Sequence, residues 1–433
     1  MSFFQTTLLL FFGFFIIFGV LVFSGILPIF DNAPDGVGGE VTLWGTLPAR
    51  LLEAPLAALN AQNEDLFSVR YVEKKAASFD TELVEALASG AGPDMIFLPH
   101  DLIVRHENKV FPLPYANFSA RDFRNAYIEE GELYLRDDGI IALPFSIDPI
   151  VMYWNRDIFA GAGHSAPPDE WDAFLLLAPQ ITEKDAAQNI SRALVAFGDF
   201  TNVDHAKDIV SLLILQAGNP IVERGEEGAR RATLRESRGF VTPPAQSALR
   251  FYTEFANPSK PIYSWNRSLP DSRDMFAAGD LAVYFVYASE RQAIVAESPR
   301  LNFDAAVVPQ TKDAERKTTF GAMTGVAVLK TSRNTTTAFY AALALAGKDF
   351  IQSFAAESGL PPARRDALAA KPRTADALVS VFYDSALISR GWLDPRPDET
   401  LRIFDAMVQN VLSGRSTVAT AVSQAHEALA ALF

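Results

Sequence analysis

The stretch LPFSIDPIVMYWNRD (143–157) plants one carboxylate, Asp148, between Pro144 and Pro149 at the head of an apolar and aromatic run. A second carboxylate, Asp101, closes another apolar run, PDMIFLPHD (93–101), next to His100. Paired carboxylates can hydrolyse glycosides, but nothing in the spacing marks two of them as partners. The five histidines, at 100, 106, 164, 205 and 426, are scattered. None forms an H-E-x-x-H pair, and only His100 and His106 lie near one another, in a loop. Each reads as a structural or surface residue. There is no phosphate-binding P-loop, no S-x-x-K and no G-x-S-x-G. GAGHSA (161–166) has dinucleotide-motif glycine spacing but follows a helical stretch, so it reads as a turn. No catalytic or metal centre is expected.

Positioning these residues requires a scaffold, and the first hundred residues outline one. VTLW (41–44) reads as a buried strand and is followed by a helical pattern to about Asn63. FSVRYVE (67–73) is a second strand, and FDTELVEALASG (79–90) is a helix closed by Gly90. PDMIFLP is a third strand. Strand and helix in alternation argue for a parallel sheet with helices on its faces. Ligands gather at the carboxyl ends of such strands. That singles out Gly45 and Thr46 after the first strand, and His100 and Asp101 after the third. Further on, ELYLRDDGIIALPF (132–145) reads as a hairpin turning on DDG. Helices are expected near 205–217 and 244–256, and strands at 281–287, 303–309 and 324–330.

The chain has 433 residues, is 49% hydrophobic and 21% charged, and carries a net charge of −14. Its length exceeds one ordinary domain. The negative charge makes nucleic acid a poor partner. There is no cysteine, which excludes disulfides, thiolate metal sites and lipid attachment through sulfur. Residues 1–30 carry no charged side chain, and Leu8 to Leu27 is almost all Leu, Phe, Ile and Val. At about 1.5 Å per residue, that run crosses a hydrocarbon core of roughly 30 Å. No basic start or small-x-small cleavage site marks a signal peptide. The run is therefore expected to be an uncleaved single-pass anchor in the cell membrane (1–30). A short tether (31–40) follows, and everything after it lies outside the cytoplasm.

Several segments, in order, resemble the bacterial extracellular solute-binding proteins of ABC importers, in the maltose-binding-like group. VTLWG opens the first strand, and GPDMIFLPHDLIVRHENKVFPL (92–113) is similar to the family's Pro-Asp strand and following helix. GIIALPFSIDPIVMYWNRDIFAGAGHSAPPDEWDAF (139–174) resembles its most telling segment. MFAAGDLAVYF (275–285), TFGAMTGVAVLKTS (319–332), SGLPPARRDAL (358–368) and SGRSTVATAV (413–422) complete the set.

The resemblance implies a two-lobed α/β fold of the periplasmic-binding-protein kind. Lobe 1 would comprise 41–146 and 310–346, and lobe 2 would comprise 147–309 and 347–433. Three hinge crossings would fall near Ser146–Pro149, Val308–Thr311 and Ala346–Phe350. It implies a receptor, not an enzyme, that needs no cofactor. Such a receptor takes a small polar solute, a saccharide first of all, into the interlobe cleft by hinge closure and delivers it to permease subunits. Asp148 and Asp101 would then accept hydrogen bonds from adjacent sugar hydroxyls. His100 and Thr46 would stand beside them. Trp44, Tyr287, Trp265 and Trp392 would offer flat faces to sugar rings, and Gly321 and Met323 would approach the ligand from a Gly-rich turn. Relatives often carry Trp shortly after the AVYF-type strand, where this chain has Ala288 and Ser289. The alternatives are another small polar solute (polyamine, metal complex, phosphate ester or peptide), a membrane-anchored sensor or, remotely, an anchored glycoside hydrolase.

Overall fold

The computed structural model describes residues 37–225, 228–371 and 377–433. The expected anchor at Leu8–Leu27 and most of its tether lie outside them. Among the described residues, no helix is long and apolar enough to cross a membrane. The main strands, in chain order, are β1 (Glu40–Gly45), β2 (Ser68–Glu73), β3 (Met95–Pro99), β4 (Leu143–Asn155), β5 (Ile190–Val195), β6 (Leu281–Tyr287), β7 (Phe303–Ala306) and β8 (Thr319–Val328).

The chain forms two compact units. Unit 1 comprises residues up to Ser146 together with Met323–Ala370, and unit 2 comprises Ile147–Ala322 with Lys371–Phe433. Two of the three divisions thus fall within continuous strands, β4 and β8. The crossings expected near Val308–Thr311 and Ala346–Phe350 lie earlier in the chain than the observed ones, and packing gives the reason. Gln310 belongs to unit 2, where its carbonyl accepts the Trp171 N–H. The helix Lys348–Ser358 buries Phe350, Ile351 and Phe354 in the core of unit 1.

In unit 1, β1 runs parallel to both β2 and β3, and the carboxyl half of β8 runs antiparallel to β3. The apolar side chains of β1 and β3 meet Leu56, Phe67, Phe145, Tyr340 and Phe354 in one core. Phe145 packs on Phe97 and Phe354, with ring centroids 4.8 and 4.7 Å apart. A second cluster gathers Phe118, Phe123, Tyr127 and Ile140. The DDG hairpin forms as Leu135–Arg136 against Gly139–Ile140, and the residues before it, Glu129–Tyr134, wind into a 3-10 turn. Arg364 and Arg365 tie the segment after the helix Lys348–Ser358 to the rest of unit 1. Arg364 donates to the Ala346 carbonyl and Arg365 to that of Tyr127.

In unit 2, β4 is flanked by β6 and β7, both antiparallel to it, and β6 continues parallel to β5. Trp171 opens a short helix and stacks on Phe285 of β6, with centroids 5.7 Å apart. Phe197 packs on both rings, at 6.1 Å from Trp171 and 4.9 Å from Phe285. Gly198, at φ +107°, marks a tight approach. A Cβ there would stand 2.6 Å from that of Ala256, so only glycine fits. The helices Ala206–Gln216, Pro244–Glu254, Pro397–Leu412 and Val418–Ala430 complete the unit.

Candidate functional site

In unit 1, β1, β2 and β3 end on one edge of the parallel sheet, where such sheets present ligands. Trp44 comes from β1, Thr46 from the residue after it, Lys74 from the residue after β2, and His100 and Asp101 from the turn after β3. All but His100 are partly exposed. The Lys74 ammonium sits 3.8 Å from the centre of the Trp44 ring and 2.8 Å from Glu82. One indole face is thereby held by a cation. His100 is 7% exposed, and its Nδ1 accepts the Met323 N–H at 3.2 Å. Met323 therefore contributes a backbone donor, while its thioether is buried. Below, the Tyr134 hydroxyl donates to the Leu98 carbonyl at 2.7 Å and braces the end of β3.

Unit 2 assembles a second group where β6 ends. The Ser289 N–H donates to Asp148 Oδ1 at 3.0 Å. The Tyr287 hydroxyl donates to Asp208 Oδ2 at 2.9 Å. The His205 ring stands edge-on to Tyr287, with centroids 4.8 Å apart. Its Nδ1 lies 3.8 Å from Asp208 and its Nε2 lies 4.0 Å from Glu290, so it bridges two carboxylates without a tight bond to either. Arg273 pairs with Glu290 at 2.7 Å, and Tyr284 donates to Asp204 at 2.9 Å. His205 has φ +54°, a left-handed backbone at the entrance to the helix Ala206–Gln216. Such a conformation costs a non-glycine residue roughly 1–2 kcal/mol, and strain of this kind gathers at functional sites.

The electrostatics follow from this crowding. Burial pushes the Asp148 carboxyl up to about 6, against the opposing pull of its Ser289 hydrogen bonds and of His205. Burial would also raise Asp208, but the neighbouring His205, the charge of Lys207 and the hydrogen bond from Tyr287 hold it below the ordinary carboxylate range. Burial disfavours charge on His205, yet Asp208, Glu290 and Asp204 outweigh it and raise its pKa. The group as a whole offers carboxylate acceptors beside an imidazole and a phenol ring. Such a surface hydrogen-bonds hydroxyls or amines.

Of the residues singled out from sequence, the structure gathers Asp148 and Tyr287 in unit 2. In unit 1 it gathers Trp44, Thr46, His100 and Asp101. Two tryptophans are corrected. Trp265 has no exposed surface, and its indole N–H is spent on Asn202 at 3.0 Å. Trp392 is 2% exposed, donates to Ser211 and stacks on Phe404 at 5.9 Å. Both are packing residues of unit 2 with no open face for a solute ring. Gly321 is buried within β8. The sequence reading missed His205, Asp208, Glu290 and Lys74. The only sequence signal was position, since Lys74 and Glu290 each follow a strand end closely. No group of three or more His, Asp or Glu among the described residues is arranged to hold a metal ion.

Comparison with known proteins places this geometry. The profile of the family described as bacterial extracellular solute-binding protein matches residues 46–356, well over half of the chain. A curated binding protein of Brucella abortus (strain 2308) is 22% identical over 289 residues. The match spans 66% of this chain and 66% of that protein, a little under two thirds of each. Among solved structures, an ABC transporter solute-binding protein of Thermotoga lettingae, bound to α-D-tagatose, is 21% identical with a TM-score of 0.64. The alignment covers 91% of this chain and 100% of that one. The sugar-binding protein MalE of Xanthomonas citri is 15% identical with a TM-score of 0.73, covering 91% and 97%. At these identities the structural likeness speaks for the two-lobed α/β fold alone. The match of the family profile across most of that fold makes the chain a member of the bacterial extracellular solute-binding protein family.

Proposed function

We propose that the protein is the extracytoplasmic receptor of an ABC-type importer and that its solute is a sugar or oligosaccharide. The observation that carries the ligand class is the unit 2 group. Asp148 and Asp208 are partly exposed carboxylates fixed by Ser289 and Tyr287, beside the exposed His205. Carboxylates held this way receive vicinal hydroxyls through charge-assisted hydrogen bonds. Trp44 offers an aromatic surface on unit 1, and Asp101 offers a further acceptor there. The solved relatives named above, one bound to α-D-tagatose and the other described as sugar-binding, support the same class. Capture is reversible and involves no covalent step. The solute favours a closed arrangement by the additional contacts it makes there. In this reading the apolar run at Leu8–Leu27 holds the receptor at the membrane beside its permease.

The test is thermal unfolding of the purified protein against mono- and oligosaccharides, polyamines, amino acids and phosphate esters. A solute at a hundredfold excess over its Kd adds about 2.7 kcal/mol to the native state. A shift with one saccharide class, lost in Asp148→Ala and in Asp101→Ala, is the expected result. A flat saccharide response with a shift for polyamines would keep the receptor and replace its substrate. The acidic group around Asp204, Asp208 and Glu290 is the observation that would explain that outcome.

A further inference from the structure

Unit 1 carries an apolar and basic corner on the edge opposite its ligand residues, and the chain enters the unit there. The Gly38 N–H donates to the Thr337 hydroxyl at 3.2 Å, just before β1 begins. β3 also begins on this edge, beside the end of β8, where Val328 pairs with Met95. The Phe111 N–H donates to the Val328 carbonyl at 2.8 Å, and the Lys330 N–H to the Lys109 carbonyl at 2.9 Å. Trp44 and Thr46 stand at the other end of β1. Five steps of about 3.3 Å put the two ends of that strand roughly 17 Å apart.

The helix Thr335–Leu345, which receives Gly38, has no charged side chain. Helices apolar on every side are normally enclosed, yet Phe339 and Leu343 are only partly buried. Phe339 meets Phe111 edge-on, with ring centroids 5.5 Å apart, and Phe111 is 42% exposed. Two exposed cations, Lys330 and Arg333, lie between the end of β8 and the start of that helix. The Lys330 ammonium donates to the Asn108 carbonyl at 3.0 Å, and Arg333 forms no ion pair among the described residues. The acids of the same edge are held by other groups. Asp94 accepts from the Thr42 N–H and the Ser332 hydroxyl. Glu40 pairs with Arg70, and Glu107 lies 3.9 Å from Arg136.

We propose that this edge of unit 1 rests on the lipid surface beside the anchor, with Phe111 and Phe339 against the acyl boundary and Lys330 and Arg333 on anionic headgroups. The inference rests on the reading of Leu8–Leu27 as the membrane-held run. Ten residues lead from Leu27 to Val37, and at no more than about 3.6 Å each they reach roughly 36 Å at full extension. The edge where the chain enters is thus the part of unit 1 kept nearest to lipid. Exposed apolar surface beside cations suits such an interface, and the negative potential of an anionic leaflet draws Lys and Arg to it. The whole chain carries a net charge of −14, so a bilayer of that sign repels most of its surface and accepts it by a cationic corner. In this orientation Trp44, Thr46 and Asp101 face the solution from which the solute arrives.

The chain has no cysteine, so single fluorescent labels can be placed at will. The full-length protein is reconstituted into phosphatidylcholine vesicles that contain phosphatidylglycerol and a lipid spin-labelled at its headgroup. Asn108→Cys carries a fluorophore near Phe111, and Lys75→Cys carries one after β2 on the ligand edge, both at exposed positions. Flotation of the vesicles reports whether the protein is anchored. We expect it to float, with the label at position 108 quenched at least threefold more than the label at position 75. Lys330→Glu combined with Arg333→Glu leaves the packing of Phe111 on Phe339 in place. It should bring the two labels to equal quenching while the protein still floats. Flotation with equal quenching before any substitution would overturn the proposal and leave the anchor standing. Failure to float would overturn both. Quenching at position 108 that survives the charge reversal would also overturn the proposal. So would a blue-shifted emission there that grows with protein density without lipid quenching, which would give the face to a second copy of the chain.

Discussion

The Tyr287 hydroxyl donates to Asp208 Oδ2 across 2.9 Å, joining the end of β6 to the first turn of the helix Ala206–Gln216. Through this bond an aromatic ring and a carboxylate keep fixed positions relative to each other, with His205 edge-on to the ring. Tyr287→Phe keeps the ring and removes the donor. The Asp208 carboxylate then loses one of the groups that hold its pKa down. We expect a loss of about 1–3 kcal/mol in stability at neutral pH, together with weaker solute binding. Chemical denaturation and calorimetric titration of the variant read the two effects separately.

Asp148 behaves in the opposite sense. Its folded-state carboxyl titrates at about 6, above the ordinary value, so folding favours the protonated form. Its contribution to stability is therefore largest below the unfolded carboxyl pKa and falls as pH rises through about 6. Asp148→Asn retains an acceptor for the Ser289 N–H and removes the charge. We expect this variant to match the wild type near pH 4 and to exceed it by about 1 kcal/mol at pH 7, discounted from the full shift for partial exposure. Its solute affinity should fall at least tenfold. Melting curves at the two pH values decide the first point. A wild type more stable than the variant at pH 7 would contradict it.

His205 holds a left-handed backbone and a raised pKa. The stability it lends through the imidazolium is complete below the ordinary histidine pKa and is lost as pH rises through the raised folded value. His205→Gly relieves the backbone strain of roughly 1–2 kcal/mol and removes the ring. We expect a fold near wild-type stability at pH 8 whose solute affinity is reduced and, between pH 6 and pH 8, changes only with the titration of Asp148. A titration series across that range would show it.

Trp265 tests the corrected assignment. Its side chain is wholly buried and its N–H is committed to Asn202. Trp265→Ala should cost about 3–5 kcal/mol of stability. The protein that remains folded should bind solute as the wild type does, because this ring faces the core of unit 2. A selective loss of affinity without destabilisation would return Trp265 to the ligand surface.

Local sequence determined the alternating strands and helices of unit 1, because strand periodicity, Gly90 and the DDG turn act over a few residues. It also marked Asp148, between two prolines at the head of an apolar run, and Asp101 at the end of another. The positions at and after strand ends were legible from the alternating topology, and they include Gly45, Thr46 and His100. Only tertiary structure decided the rest. Trp265 and Trp392 are as aromatic as Trp44, and composition alone does not show which of three indoles is enclosed by neighbours distant in sequence. His205 looked like a scattered histidine because its partners, Tyr287 at the end of β6 and Glu290 in the turn after it, arrive some eighty residues later. The unit boundaries within β4 and β8 were equally hidden, since a strand that leaves one core for another keeps its extended backbone and gives no local sign of the change.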